Sequence, residues 1–401
     1  MNVTHFLNEF IIESFAKSMN TTKFTTYTFQ RTQSKELREK FRGCLLAGAV
    51  GDALGAPVEF MKIEQIHKTF GPAGIVDYAK AFGRIGAITD DTQMTLFTAE
   101  GVLRAYVRHS TRGICDSTGV VARAYLRWLH TQKTEIAAPN EHINGWLVSN
   151  RELYSLRAPG NTCLEALYNI EAGGERCANN SKGCGGVMRV APIGMLHASL
   201  AIRKPELKQM FLLDSFEMGC KSAGITHGHP TGQLSSGVFS AIIYLLLLGE
   251  TLKESIHQAK KILRAQANHA ETLKAIEHAV KLSIETVNHH DAIKQLGEGW
   301  IAEEALAISI FCALRASNIE DGIRMSVNHD GDSDSTGSIA GQILGSIYGE
   351  SSIPSKWLIE LELKTVIEEI SDDLASAPDW KLYDGAEGDE QEYISERYPG
   401  N

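Results

Sequence analysis

Residues Gly331–Gly349 read GDSDSTGSIAGQILGSIYG. Two patterns overlap here. Asp332, Asp334 and Ser335 form a dense run of oxygen donors, and Gly337, Gly341, Gly345 and Gly349 then recur every four residues. That spacing puts the glycines on one face of a helix, where missing side chains let another backbone come close. Each helical glycine costs about 1 kcal/mol relative to alanine, so a row of them needs a reason. The matching row lies near the other end of the chain, in Gly43–Phe60 (GCLLAGAVGDALGAPVEF), at Gly43, Gly48, Gly51 and Gly55. Two helices packed tightly in the core are expected, holding the adjoining loops with little play.

The pattern outward from these rows stays helical. Leu37, Phe41, Cys44 and Leu45 mark one apolar face. Further helices are expected over Met94–Val107, Val120–Leu129, Leu164–Ile170, Leu207–Ala223, Gln233–Leu248, Leu252–Gln266, Ala270–Val287, Ala302–Arg315, Thr336–Tyr348 and Lys356–Ile370. Period-2 runs rich in Val, Ile and Thr are scarce after residue 35. Helices joined by Gly-, Asn- and Asp-rich loops predict an all-α domain over residues 35–375. Residues 1–34 stand apart as an extension. Its Phe6, Phe10 and Phe15 fit an amphipathic helix, and Thr21–Thr32 favours extended structure. It reads as an arm docked on its own domain or on a partner. Residues 376–401, acidic from Asp384, are expected to be a surface tail.

The 401 residues carry a net charge of −10, so no global basic field favours nucleic acid. The seven cysteines are scattered and form no C-x-x-C, which argues against a disulfide framework or thiolate zinc site. The N-terminus lacks a basic n-region, and the longest apolar run, Val238–Leu248, is too short for a bilayer. A cytoplasmic protein is expected. There is no P-loop or strand-borne G-x-G-x-x-G.

The chemistry concentrates in two patches that each precede a helical run: Thr89-Asp90-Asp91 and Asp332-Ser333-Asp334-Ser335. Helix capping explains one or two such residues, but not so many in a row. An EF-hand loop starting at Asp330 would need Gly at 335 and Glu at 341; the chain has Ser335 and Gly341. A D-x-D-x-T phosphatase string, Asp332 to Thr336, should follow a strand near the start of an α/β domain, whereas it lies near the C-terminus here. All the donors are oxygen, which selects Mg²⁺ or Mn²⁺ over zinc, and four carboxylates suit two ions. Glu59, in a loop after Pro57, is a candidate general acid/base. Gly183-Cys184-Gly185-Gly186, followed by Met188, exposes backbone N–H groups that can hold a phosphate. His227 is taken as substrate-contacting, since His227-Gly-His229 lacks further nitrogen or thiolate ligands for zinc. Cys184 has no marked His–acid partner for nucleophilic catalysis.

Taken together, Gly43–Phe60, Ile88–Leu96 (ITDDTQMTL), Lys182–Pro192 (KGCGGVMRVAP), Thr226-His227 and Gly331–Gly349 resemble the ADP-ribosylglycohydrolase family, over roughly residues 35–350. The resemblance implies an all-α orthogonal bundle around a binuclear Mg²⁺ or Mn²⁺ site. It implies metal ligation by Thr89, Asp90 and Asp91 on one side and Asp332, Asp334 and Ser335 on the other. Glu59, Asp91 and Asp332 would be catalytic. Gly183, Cys184, Gly185, Gly186 and Met188 would surround ADP-ribose, with His227 near its phosphates. The implied reaction is release of ADP-ribose from modified protein side chains, with arginine favoured by the DSDST form; serine linkages and free ADP-ribose derivatives stay open. Some bacterial relatives act as immunity proteins, so residues 1–34 are also a candidate plug for an ADP-ribosyltransferase toxin.

Overall fold

The computed structural model describes residues 35–133, 143–176, 178–382 and 389–400. Residues 1–34 are not among them. The expected arm therefore lies outside the described residues.

The described residues form helices α1 Lys35–Gly55, α2 Ile63–Phe70, α3 Asp90–Arg112, α4 Ser117–Thr131, α5 Asn161–Glu171, α6 Ala191–Arg203, α7 Lys208–Ala223, α8 Pro230–Leu247 and α9 Leu252–Arg264. They continue with α10 Ala270–Ile284, α11 His289–Leu296, α12 Ala302–Arg315, α13 Ile319–Val327, α14 Ser333–Tyr348, α15 Ser355–Glu360, α16 Lys364–Ser376 and α17 Asp389–Arg397. Extended pairing among these residues is limited to isolated bridges, Ala81 with Arg84 and Gly183 with Ile301. The fold is all-α, as the sequence predicts.

The two glycine rows meet. A Cβ on Gly43 would lie 2.5 Å from the Gly345 carbonyl oxygen, and one on Gly55 would lie 2.5 Å from the Asp334 Cα. Gly51 and Gly337 each abut the other's carbonyl, and Gly341 abuts that of Ala47. Helices α1 and α14 thus run antiparallel at backbone contact. This crossing seats the start of α14, with its acidic patch, on the end of α1. Helix α8 is the most apolar core element: its 18 residues have the composition of a membrane span, but 89% of them are buried inside the protein.

Local signals and tertiary contacts disagree in two places. The sequence pattern favours one helix over Lys356–Ile370, but the chain breaks between α15 and α16, where Leu363 takes φ 57°. The Glu362 amide donates to the Gly86 carbonyl at 3.0 Å, and its carboxylate accepts from the Ile88 amide at 3.1 Å and Arg157 Nη2 at 2.8 Å. A continuous helix could not offer both groups to the segment that leads into Thr89. The C-terminal stretch is also attached, where a surface tail was expected. Arg397 Nε and the Tyr398 hydroxyl donate to Asp373 Oδ2 at 2.8 and 2.6 Å, and the Arg397 guanidinium lies 3.4 Å from the Trp146 ring centre.

Candidate metal centre

Both acidic patches are helix N-termini. Thr89 caps α3, its hydroxyl accepting from the Asp91 amide at 3.2 Å, and Asp90 and Asp91 fill the first turn. Asp332 caps α14, with Asp334 and Ser335 in the first turn. An acid at this position faces free N–H groups and the positive end of the helix dipole, which explains why the local chain accepts it. Local structure does not explain the convergence of the patches. Carboxylate oxygens of Glu59, Asp332 and Asp334 lie within 4.8 Å of one another, and Asp90, Asp91, Asp332 and Asp334 are all buried.

Asp52 is the element that sequence reasoning missed. It sits fully buried in the glycine face of α1. Its carboxylate accepts from the Thr89 amide at 2.9 and 3.1 Å, from the Thr92 amide at 3.1 Å and from the Thr92 hydroxyl. One acid of α1 therefore fixes the N-terminus of α3, just as the glycine crossing fixes that of α14. A single acid inside an otherwise apolar and glycine-rich helical face was the available signal.

The crowding has an electrostatic consequence. Burial, then the Asp334 charge, pushes Asp52 up to about 7. Burial and the charges of Asp334, Asp332, Asp90 and Asp52 push Glu59 up to about 10. Asp90, Asp91 and Asp332 are driven well above the usual carboxylate range by burial and then by Asp334, and burial also raises Asp334. Like charges in a desolvated site cannot all ionise without a compensating cation. Asp91 Oδ1 is buried and lacks a hydrogen-bond partner. An all-oxygen donor set, convergent carboxylates and an orphaned carboxylate oxygen fit hard divalent cations.

The remaining candidates line the approach. Cys184–Gly186 form a single 3₁₀ turn after Gly183. The Cys184 amide donates to the Trp300 carbonyl at 3.1 Å, and its Sγ lies 2.7 Å from Asp332 Oδ2. Met188 is buried beneath the site, its Sδ 3.8 Å from the Ser335 hydroxyl. His227 is also buried, packed against Gly183, Gly185 and Gly186. Burial and the nearby Arg189 guanidinium hold it down to about 3, so it is neutral.

A second rim segment was not anticipated. In Gly297-Glu298-Gly299-Trp300, the Glu298 carbonyl accepts from the Asp332 amide at 2.8 Å. Trp300 stacks on Phe60 with ring centres 5.3 Å apart, and Lys62 Nζ donates to Glu298 Oε1 at 2.5 Å. Phe60 remains 70% exposed beside Glu59.

Comparison with known proteins identifies the family of the chain. The family model described as ADP-ribosylglycohydrolase matches residues 33–382. The chain is 25% identical over 337 residues to the ADP-ribosyl-[dinitrogen reductase] glycohydrolase of Rhodospirillum rubrum, covering 82% of this chain and 92% of that protein. It is 24% identical over 344 residues to the ADP-ribosylarginine hydrolase Tri1 of Serratia proteamaculans, covering 84% and 80%. A solved ADP-ribosylglycohydrolase-related protein complex superposes with a TM-score of 0.61 at 25% identity, covering 86% of this chain and 99% of the other. The chain belongs to the ADP-ribosylglycohydrolase family, a family of metal-dependent hydrolases.

Proposed function

We propose that this protein hydrolyses the bond between ADP-ribose and arginine side chains of modified proteins, with two Mg²⁺ or Mn²⁺ ions per site. The gathering of Glu59, Asp332 and Asp334, with the buried Asp90 and Asp91 as their charged neighbours, carries this reading. Thr89, Asp90, Asp91, Asp332, Asp334 and Ser335 would hold the cations. When bound, these ions supply the positive charge that lets the carboxylates ionise together, and Lewis-acid polarisation of substrate oxygens.

The protein's own groups divide the rest of the work. Asp91 and Asp332 place negative charge beside the ribose carbon as the glycosidic bond breaks, which favours an oxocarbenium-like transition state. Glu59 carries the proton between the attacking water and the leaving guanidino nitrogen, a task suited to a carboxyl held above its usual range. Gly183, Cys184, Gly185 and Gly186 leave room for the ADP-ribose diphosphate, with Met188 beneath and His227 behind. The exposed ring of Phe60, backed by Trp300, favours a guanidinium acceptor, since an aromatic face attracts a planar cation.

Linkage-defined ADP-ribosyl peptides test the reading. Release of ADP-ribose from the arginyl peptide should require Mg²⁺ or Mn²⁺ and exceed release from the seryl peptide. A seryl preference would overturn the acceptor, and turnover undiminished by chelation would overturn the metal assignment. A toxin-blocking role for residues 1–34 is a separate proposal resting on sequence alone. Retained binding of a cognate transferase after deletion of residues 1–33 would remove it.

A further inference from the structure

We infer that Arg189 and Thr226 act as positioning residues that fix His227 in its Nε2–H tautomer, so that it offers one neutral N–H through the glycine loop to an anionic ligand oxygen. The inference rests on the reading of that loop as the ADP-ribose site, and it begins from proton counting. A guanidinium only donates. Arg189 Nη2 lies 2.7 Å from Thr226 Oγ1, so that hydroxyl must accept. Thr226 Oγ1 in turn lies 2.8 Å from His227 Nδ1. If the threonine proton goes to Nδ1, the ring's own proton sits on Nε2.

The rival arrangement protonates Nδ1 and sends the threonine proton to Cys163 Sγ. A thiol sulfur is a weak acceptor and an imidazole nitrogen a good one. Cys163 Sγ also already faces Arg189 Nη1 at 3.5 Å. Chemistry therefore favours the Nε2–H form. The position of Nε2 gives that proton a use. A Cβ on Gly183 or Gly185 would lie 3.4 or 3.6 Å from Nε2, so the glycines keep this edge free of side chains. Among the described residues, no group is hydrogen-bonded to Nε2.

Arg189 has a second role in this arrangement. It is fully buried, its charge rests on the Tyr125 ring at 4.2 Å, and its Nε has no hydrogen-bond partner. Among the described residues no carboxylate forms an ion pair with it. A buried cation without a counter-anion attracts negative charge to the loop in front of it. A phosphate oxygen satisfies both the N–H and the field.

The test combines ¹⁵N-histidine NMR with ADP-ribose titration calorimetry on the full chain. His227, identified by its loss in H227Q, should show the Nε2–H pattern. T226S should keep that pattern and the wild-type affinity; T226V should lose the fixed tautomer, and both T226V and H227Q should bind ADP-ribose about tenfold more weakly. Near-UV circular dichroism establishes that the variants are folded, and rescue by T226S separates positioning from packing. An Nδ1–H pattern in the wild type, or unchanged ADP-ribose affinity in folded T226V, overturns the proposal. If the tautomer and ADP-ribose binding are as expected but arginyl peptides are not cleaved, the reaction proposed above fails and the relay stands.

Discussion

Helix α3 buries acids at two places and treats them in opposite ways. Glu100, fully buried, is matched on both oxygens: Oε1 accepts from Arg104 Nε and Nη2 at 3.1 and 2.8 Å, and Oε2 from Arg127 Nε and Nη2 at 2.9 and 2.8 Å. Asp90 and Asp91, at the start of the same helix, are buried beside other carboxylates, and one Asp91 oxygen has no partner. A buried acid that serves only the fold is given its counter-charge by the protein, as Glu100 is. Among the described residues the N-terminal acids have no such counter-charge, which is how the candidate metal centre differs from a structural ion pair built of the same residue types.

Substitution at the centre should have the largest effect. Asp332→Ala or Asp90→Ala should lower ADP-ribosylarginine hydrolysis by at least about 10²-fold, the equivalent of ~3 kcal/mol of transition-state stabilisation. Metal-free Asp90→Ala should melt no lower than the metal-free wild type, because a repulsive charge has been removed, whereas Asp332→Ala also gives up the α14 cap. Full turnover in both variants would sink the metal assignment. Glu100→Gln should do the reverse. Leaving two buried arginines short of their counter-charge costs about 3–5 kcal/mol in stability, seen as a lower denaturation midpoint. The rate per folded molecule should be unchanged, and a primary loss of rate there would erase the contrast.

The contrast was only half legible in the sequence. The glycine rows could be read because each glycine is a local cost that only close packing repays, and the rows do meet at Gly43–Gly345 and Gly51–Gly337. The acidic patches could be read because capping needs fewer acids than they contain. Asp52, Arg189 and the Glu298–Trp300 rim were not legible, because each acts through partners distant in sequence: Asp52 on Thr89, Arg189 on Thr226, and the Glu298 carbonyl on Asp332. The break at Leu361–Leu363 failed for the same reason, as Glu362 gives up helical continuity to hold Gly86 and Ile88.

Gly51→Ala sharpens the comparison from the backbone side. The added methyl must push against the Gly337 carbonyl, an overpacking that costs about 1–3 kcal/mol. The shift moves Asp52 and the start of α14 together, while Glu100 keeps its arginines. Divalent-cation affinity, measured by calorimetry, should fall along with stability. Unaltered affinity in a destabilised Gly51→Ala protein would show that the crossing sets the fold without setting the metal geometry.

The smallest expected effect is on stability as a function of pH, and its sign is diagnostic. Asp52 and Glu59 are raised in the folded protein to about 7 and about 10 by burial and neighbouring acids. A carboxyl with a raised folded pKa binds more protons when folded than when unfolded, so its contribution to stability is fully present below the ordinary carboxylate range and is lost as pH rises. Metal-free protein should therefore melt lower at pH 8 than at pH 5, by roughly 2–4 °C for each kcal/mol lost. Mg²⁺ or Mn²⁺ should raise the melting temperature more at pH 8, because there the cation meets ionised carboxylates and displaces fewer protons. A metal-free melting temperature that rises from pH 5 to pH 8 would mean that the N-terminal acids are compensated by the protein after all, and the two ends of α3 would no longer differ in kind.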